Sequence, residues 1–175
     1  VSSLSDLEIT PFEQVSSLSD PEITPLTELS YSYRYIIKMN TGNKTYAISD
    51  NPNSNYVLEI DSTKSTNPTT EREFSYDFGE MSSWAFKYLT AVLANNGKIY
   101  AIPYSMNYVL EIDPTVNPPT ARKIGDDLEM TMGGGKYQEA VLANNGKIYA
   151  IPDSASYVLE IDPTVGNPQV REIGD

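Results

Sequence analysis

Self-similarity constrains this chain more than any other feature. The string AVLANNGKIYAIP runs from Ala91 to Pro103 and returns unchanged from Ala140 to Pro152. YVLEIDPTV runs from Tyr108 to Val116 and again from Tyr157 to Val165, at the same offset of 49 residues. A more divergent copy lies upstream, where Thr45-Tyr46-Ala47-Ile48 matches the KIYAI segment and YVLEID recurs at Tyr56 to Asp61 after a spacing two residues longer. Every copy ends in an Arg beside acids, at Arg72, Arg122 and Arg171. A repeat of this size is one supersecondary unit that cannot bury its apolar surface alone, so neighbouring copies must stack. The chain therefore divides into repeats at 33–86, 87–135 and 136–175, preceded by a separate segment at 1–30, with residues 31–175 forming one β-repeat domain.

Within a repeat the hydrophobic period is two. In YVLEID, Tyr108, Leu110 and Ile112 project to one face and Val109, Glu111 and Asp113 to the other, which predicts a half-buried strand whose charges face solvent. Asn95-Asn96-Gly97 and Asn144-Asn145-Gly146 separate AVLA from KIYAIP, and Asn-Gly predicts a hairpin closed by a type I′ turn. Pro103 and Pro152 end the second strand, Asp113-Pro114 and Asp162-Pro163 end the third, and Thr120 to Ile124 with Gln169 to Ile173 supplies a short fourth. The predicted fold class is all-β, built from three four-stranded antiparallel meanders.

A meander of this length with a G-K-I-Y-A-I-P second strand, and with Gly133-Gly134-Gly135 leading into Lys136-Tyr137, resembles a kelch-like β-propeller blade. The other copies depart from the double glycine, with Ser82-Ser83-Trp84 before the second repeat, so no family function is carried over. The resemblance implies a propeller-like stack that is incomplete in one chain, because closed propellers hold at least four blades. Another subunit, the N-terminal segment or a different closure altogether is then needed to cover the open blades. A threefold β-trefoil or β-prism, as in lectins, is the alternative. It ranks second because Trp84 is the only Trp and the trefoil's Gln-x-Trp signature is missing.

The first thirty residues are themselves duplicated, VSSLSDLEITPFEQ followed by VSSLSDPEITPLTE. Pro11, Pro21 and Pro25 exclude a long helix, and the apolar residues Leu4, Leu7, Ile9, Leu18, Ile23 and Leu26 suit an extended assembly arm that adds to blade edges of a neighbouring subunit. The chain opens at Val1 rather than Met, as a processed product does.

Composition narrows the function. With no Cys and no His, thiol and His-dependent nucleophiles and the usual zinc or copper sites are excluded. The formal net charge of -12 repels phosphate backbones and anionic lipid, and no apolar run approaches the roughly 20 residues of a membrane-spanning helix. The expected partners are therefore other copies of the chain and, in a second reading, glycans, with neither nucleic acid nor membrane insertion. No cofactor is expected. Asp50-Asn51-Pro52-Asn53-Ser54-Asn55 is oxygen-rich, but Pro52 breaks the pattern of a Ca²⁺ loop.

The repeated pairs Glu59/Asp61, Glu111/Asp113 and Glu160/Asp162 suit a cation or acid/base work, yet active sites break repeat symmetry and these do not, so the predicted role is structural. Arg72, Arg122 and Arg171 are expected to form structural ion pairs at the fourth strand rather than a carboxylate-binding cluster. Among the 13 Tyr, packing is the expectation, with Tyr104 and Tyr137 as candidate glycan contacts. Asn43-Lys44-Thr45 is a sequon at a hairpin tip, and the Ser and Thr of the arm suit O-linked sugars, both conditional on secretion. These features together predict a non-enzymatic, extracellular or cell-surface structural glycoprotein that self-assembles into a filament or ring. A carbohydrate-binding adhesion module and a propeller-class hydrolase are the alternatives.

Overall fold

The computed structural model describes residues 39–40, 42–49, 55–63, 70–75, 86–129 and 135–174. The apolar arm residues Leu4, Leu7, Ile9, Leu18, Ile23 and Leu26, and the oxygen-rich stretch at 50–54, lie outside the described residues.

Within them the chain forms twelve strands: β1 (Met39–Asn40), β2 (Lys44–Ile48), β3 (Tyr56–Asp61), β4 (Thr70–Ser75), β5 (Tyr88–Leu93), β6 (Ile99–Pro103), β7 (Val109–Asp113), β8 (Thr120–Ile124), β9 (Tyr137–Leu142), β10 (Ile148–Pro152), β11 (Val158–Asp162) and β12 (Gln169–Ile173). They pair as three separate four-stranded antiparallel sheets in chain order, β1–β4, β5–β8 and β9–β12, each inside one sequence repeat. The prolines fall at the ends of β6 and β10, where a missing N–H costs no ladder bond in the interior.

The hairpin turn differs from the expected type I′. In the second sheet Gly97 N–H donates to Ala94 O at 3.0 Å and Ala94 N–H donates to Lys98 O at 2.9 Å. Gly97 alone has positive φ, +80°, and neither Asn95 nor Asn96 does. That is a three-residue loop, a type I turn followed by a left-handed glycine in a G1 bulge, and it repeats at Ala143, Gly146 and Lys147. The extra Asn shifts the hairpin from two residues to three. The Asn96 side chain then closes the loop, accepting from Lys98 N–H at 3.0 Å and donating to the Tyr100 hydroxyl at 3.0 Å.

The sheets stack face to face. Tyr46, Ile48 and Val57 of the first sheet pack against Tyr88, Ile99, Ala101, Leu110 and Ile112 of the second. On the second sheet's opposite face, Val92, Tyr100, Ile102, Val109 and Ile124 pack against Tyr137, Ile148, Ala150, Leu159 and Ile161 of the third. The second sheet is thus buried on both faces, and β7 is covered throughout rather than half-buried, with Val109, Leu110, Glu111 and Ile112 all buried. This also excludes the trefoil and prism alternative, in which sheets surround one shared core and keep an outer face in solvent. The arrangement is propeller-like and incomplete: first strands lie nearest first strands, β1 by β5 and β5 by β9, and the sheets do not close on themselves.

Candidate functional site

The side chains with chemistry converge on one cluster per sheet. Backbone register sets Tyr100 opposite Glu111 and Glu111 opposite Arg122, so a Tyr–Glu–Arg ladder crosses β6, β7 and β8 on one face. Glu111 Oε1 accepts from Arg122 Nε at 2.7 Å and Lys98 Nζ at 3.2 Å, while Oε2 accepts from the Tyr100 hydroxyl at 3.1 Å. Lys98 also reaches Asp113 Oδ2 at 3.0 Å, and Asp113 Oδ1 accepts from Thr115 N–H at 3.0 Å, closing the next turn. The third sheet repeats this: Glu160 accepts from Lys147 at 3.1 Å, Arg171 Nε at 2.8 Å and the Tyr149 hydroxyl at 3.0 Å. In the first sheet Glu59 accepts from Tyr46 and Lys44, and Arg72 stands opposite Glu59 in backbone register.

Burial by itself would raise the Glu111 carboxyl, but the hydrogen bonds from Arg122 and Lys98 outweigh it and hold the group below the usual carboxylate range. Asp113 is lowered in the same way, burial being outweighed by Thr115 and Lys98. Burial would likewise lower Lys98, and its bonds to Asp113 and Glu111 reverse the sign. A general acid must hold its proton at the working pH. These carboxylates are held charged, and through Tyr100, Glu111 and Arg122 the cluster links three strands. The Arg122 and Arg171 ion pairs are of the kind expected from sequence. Among the described residues no group of three or more His, Cys, Asp and Glu is arranged to hold a metal ion, and no helix is long and apolar enough to cross a membrane.

The sugar-contact candidates fare differently. Tyr137 is fully buried between the sheets and its hydroxyl donates to Glu172 at 3.1 Å, so its ring is not open to stack on a glycan. Tyr104 is half-buried, edge-on to Phe86 and close against Gly135. Asn43 is exposed in the turn before β2, where its carbonyl accepts from Ser62 N–H at 2.9 Å.

Lys136 went unnoticed in the sequence. It is buried at the start of the third repeat, and its Nζ reaches back to the second sheet, donating to Met106 O at 3.0 Å and Asn107 Oδ1 at 3.0 Å. Its burial lowers the ammonium pKa, an effect Asp127 opposes. The signal was available: Lys87-Tyr88 and Lys136-Tyr137 stand at the same place in their repeats, and Arg34-Tyr35 occurs in the first. Asn96 makes a second bridge between sheets, donating to Pro163 O at 3.2 Å.

The outward face of the third sheet carries the exposed apolar side chains Val141 and Ile151. Val141, Tyr149, Ile151, Val158, Glu160, Arg171 and Ile173 occupy the positions that Val92, Tyr100, Ile102, Val109, Glu111, Arg122 and Ile124 hold in the second sheet. Identical side chains have opposite fates. Val92 is 9 % exposed and Val141 56 %, and Ile102 is 0 % exposed and Ile151 58 %. Tyr157, just before β11, is exposed as well. No protein-family model, curated protein or solved structure matches this chain.

Proposed function

We propose that this protein is a non-enzymatic structural building block that works outside the cell and assembles with copies of itself through its sheets and N-terminal arm. One observation carries the reading: the outward face of the third sheet exposes the side chains that the second sheet buries against a neighbour. Apolar surface of this kind on a chain that has already formed its core marks an interaction surface. The carboxylates of the repeated Glu/Asp pairs are locked into strand clamps, which favours structure over hydrolysis. A kelch-like blade would use its faces in this way, each docking the next. Placement outside the cell rests on the exposed sequon at Asn43, where an N-linked glycan would project from a hairpin tip.

Light scattering and negative-stain electron microscopy of the full chain test this, beside a chain lacking residues 1–30 whose strand content is checked by circular dichroism. Assemblies larger than one chain are expected, weakened or altered without the arm. A monodisperse monomer in both forms would remove the reading.

A further inference from the structure

The open face has a known complement, because this chain shows what covers it. Between the second and third sheets, Val92, Tyr100, Ile102, Val109 and Ile124 receive Tyr137, Ile148, Ala150, Leu159 and Ile161. The polar rim of that contact is equally specific. Asn96 donates across to Pro163 O, Lys136 N–H donates to Tyr104 O at 2.8 Å, and Lys136 Nζ bonds Met106 O and Asn107. On the third sheet's outward face the same rim is present. Asn145 repeats Asn96, bonding its own Tyr149 hydroxyl at 3.0 Å with no cross-sheet partner among the described residues. Asp153, Ala155 and Ser156 repeat Tyr104, Met106 and Asn107 as carbonyl and side-chain acceptors. Of the face's eight strand positions only one differs, Glu139 standing where the second sheet has Thr90.

Only the first sheet has its complementary face unpaired with another described sheet. Its residues there are Thr45, Ala47, Leu58 and Ile60, the counterparts of Ile148, Ala150, Leu159 and Ile161. Ala47 and Leu58 are buried and Thr45 and Ile60 half-buried. In the sequence Arg34 precedes Met39 by five residues, as Lys87 precedes Val92 and Lys136 precedes Val141. A head-to-tail contact of this kind closes into a ring or runs on as a filament. Closed propellers hold about four to eight blades. With three sheets among the described residues of each chain, two chains give six, within that range.

We propose that the outward face of the third sheet docks onto the first sheet of a second copy, and that two copies do this reciprocally to close a ring of six sheets. This rests on the self-assembly reading above and adds its partner, faces and stoichiometry. Hydrophobic burial drives the contact, with the Asn145 amide and the 153–156 rim fixing its register.

Sedimentation velocity on the full chain, over a concentration series, tests the pairing with two variants. The wild-type chain is expected to reach a species of twice the 19.4 kDa chain mass. I151D and V141D place an unpaired carboxylate in the contact while sitting on an exposed surface of the single chain, so both should keep the wild-type circular dichroism spectrum. Each is expected to weaken pairing by about 100-fold or more. Filaments, or a dimer that both variants leave unchanged, would overturn the six-sheet ring and leave self-assembly standing. A chain that stays monomeric at every concentration would overturn both.

Discussion

At Glu111 a carboxylate stays charged inside the protein because two cations reach it from different strands, Lys98 from the β6 hairpin and Arg122 from β8. Removing one partner of such a buried set leaves the others uncompensated, so E111A is expected to cost about 3 kcal/mol in urea unfolding. Glu160 is itself only 5 % exposed, but no second described sheet lies over its face, so E160A should cost less than E111A. Equal losses would mean that the third sheet's face is covered as fully as the second's. The pH dependence follows from the signs. Glu111, Asp113, Glu160 and Asp162 have lowered folded-state pKa values, so their stabilisation is present above the ordinary carboxylate range and is lost as pH falls through the folded values. Lys98 and Lys147 are raised, so theirs is complete below the ordinary lysine pKa and is lost as pH rises through the folded values. Thermal melts should show a plateau from about pH 5 to 10 with loss on both sides. Stability that climbs steadily below pH 4 would contradict the clamp.

At the scale of strands and turns, the period-two alternation and the Pro and Gly punctuation were enough to locate the second, third and fourth strands of each repeat in sequence. KIYAIP, YVLEID, Thr120–Ile124 and Gln169–Ile173 are β-structure as expected. What the alternation does not encode is what lies over the charged face. Glu111 and Asp113 look solvent-facing in YVLEID because their partners are 11 to 15 residues away in sequence and meet them only through sheet register. Turn type was misread for a related reason: Asn96-Gly97 has the I′ composition, but Asn95 lengthens the loop and Asn96 binds Lys98 N–H instead of taking positive φ. The open face itself was not legible, since near-identical repeats differ in exposure only through their neighbours. Ile102 and Ile151 make the contrast measurable: I102A should cost about 3 kcal/mol, and I151A on the dissociated chain less than about 0.5 kcal/mol. Gly135 offers a second check between elements. A Cβ there would run into the Tyr104 ring, so G135A should destabilise by about 1–3 kcal/mol, and an unchanged urea midpoint would show that the contact between the sheets yields freely.

For the whole molecule, charge and surface act against each other. Every chain carries a formal charge of -12, so two chains repel over distances set by the salt, while the contact proposed between them is mostly apolar. Association is therefore expected to strengthen as ionic strength rises from about 20 to 500 mM, the reverse of a contact driven by salt bridges. The central claim is that the third sheet's outward face is covered in solution. Because the chain has no Cys, a single V141C variant places one thiol on that face, and its rate of reaction with a thiol reagent can be followed as the protein is diluted. The account predicts protection at high concentration, lost on dilution together with the paired species. A thiol that reacts at the rate of a free exposed cysteine at every concentration would contradict it.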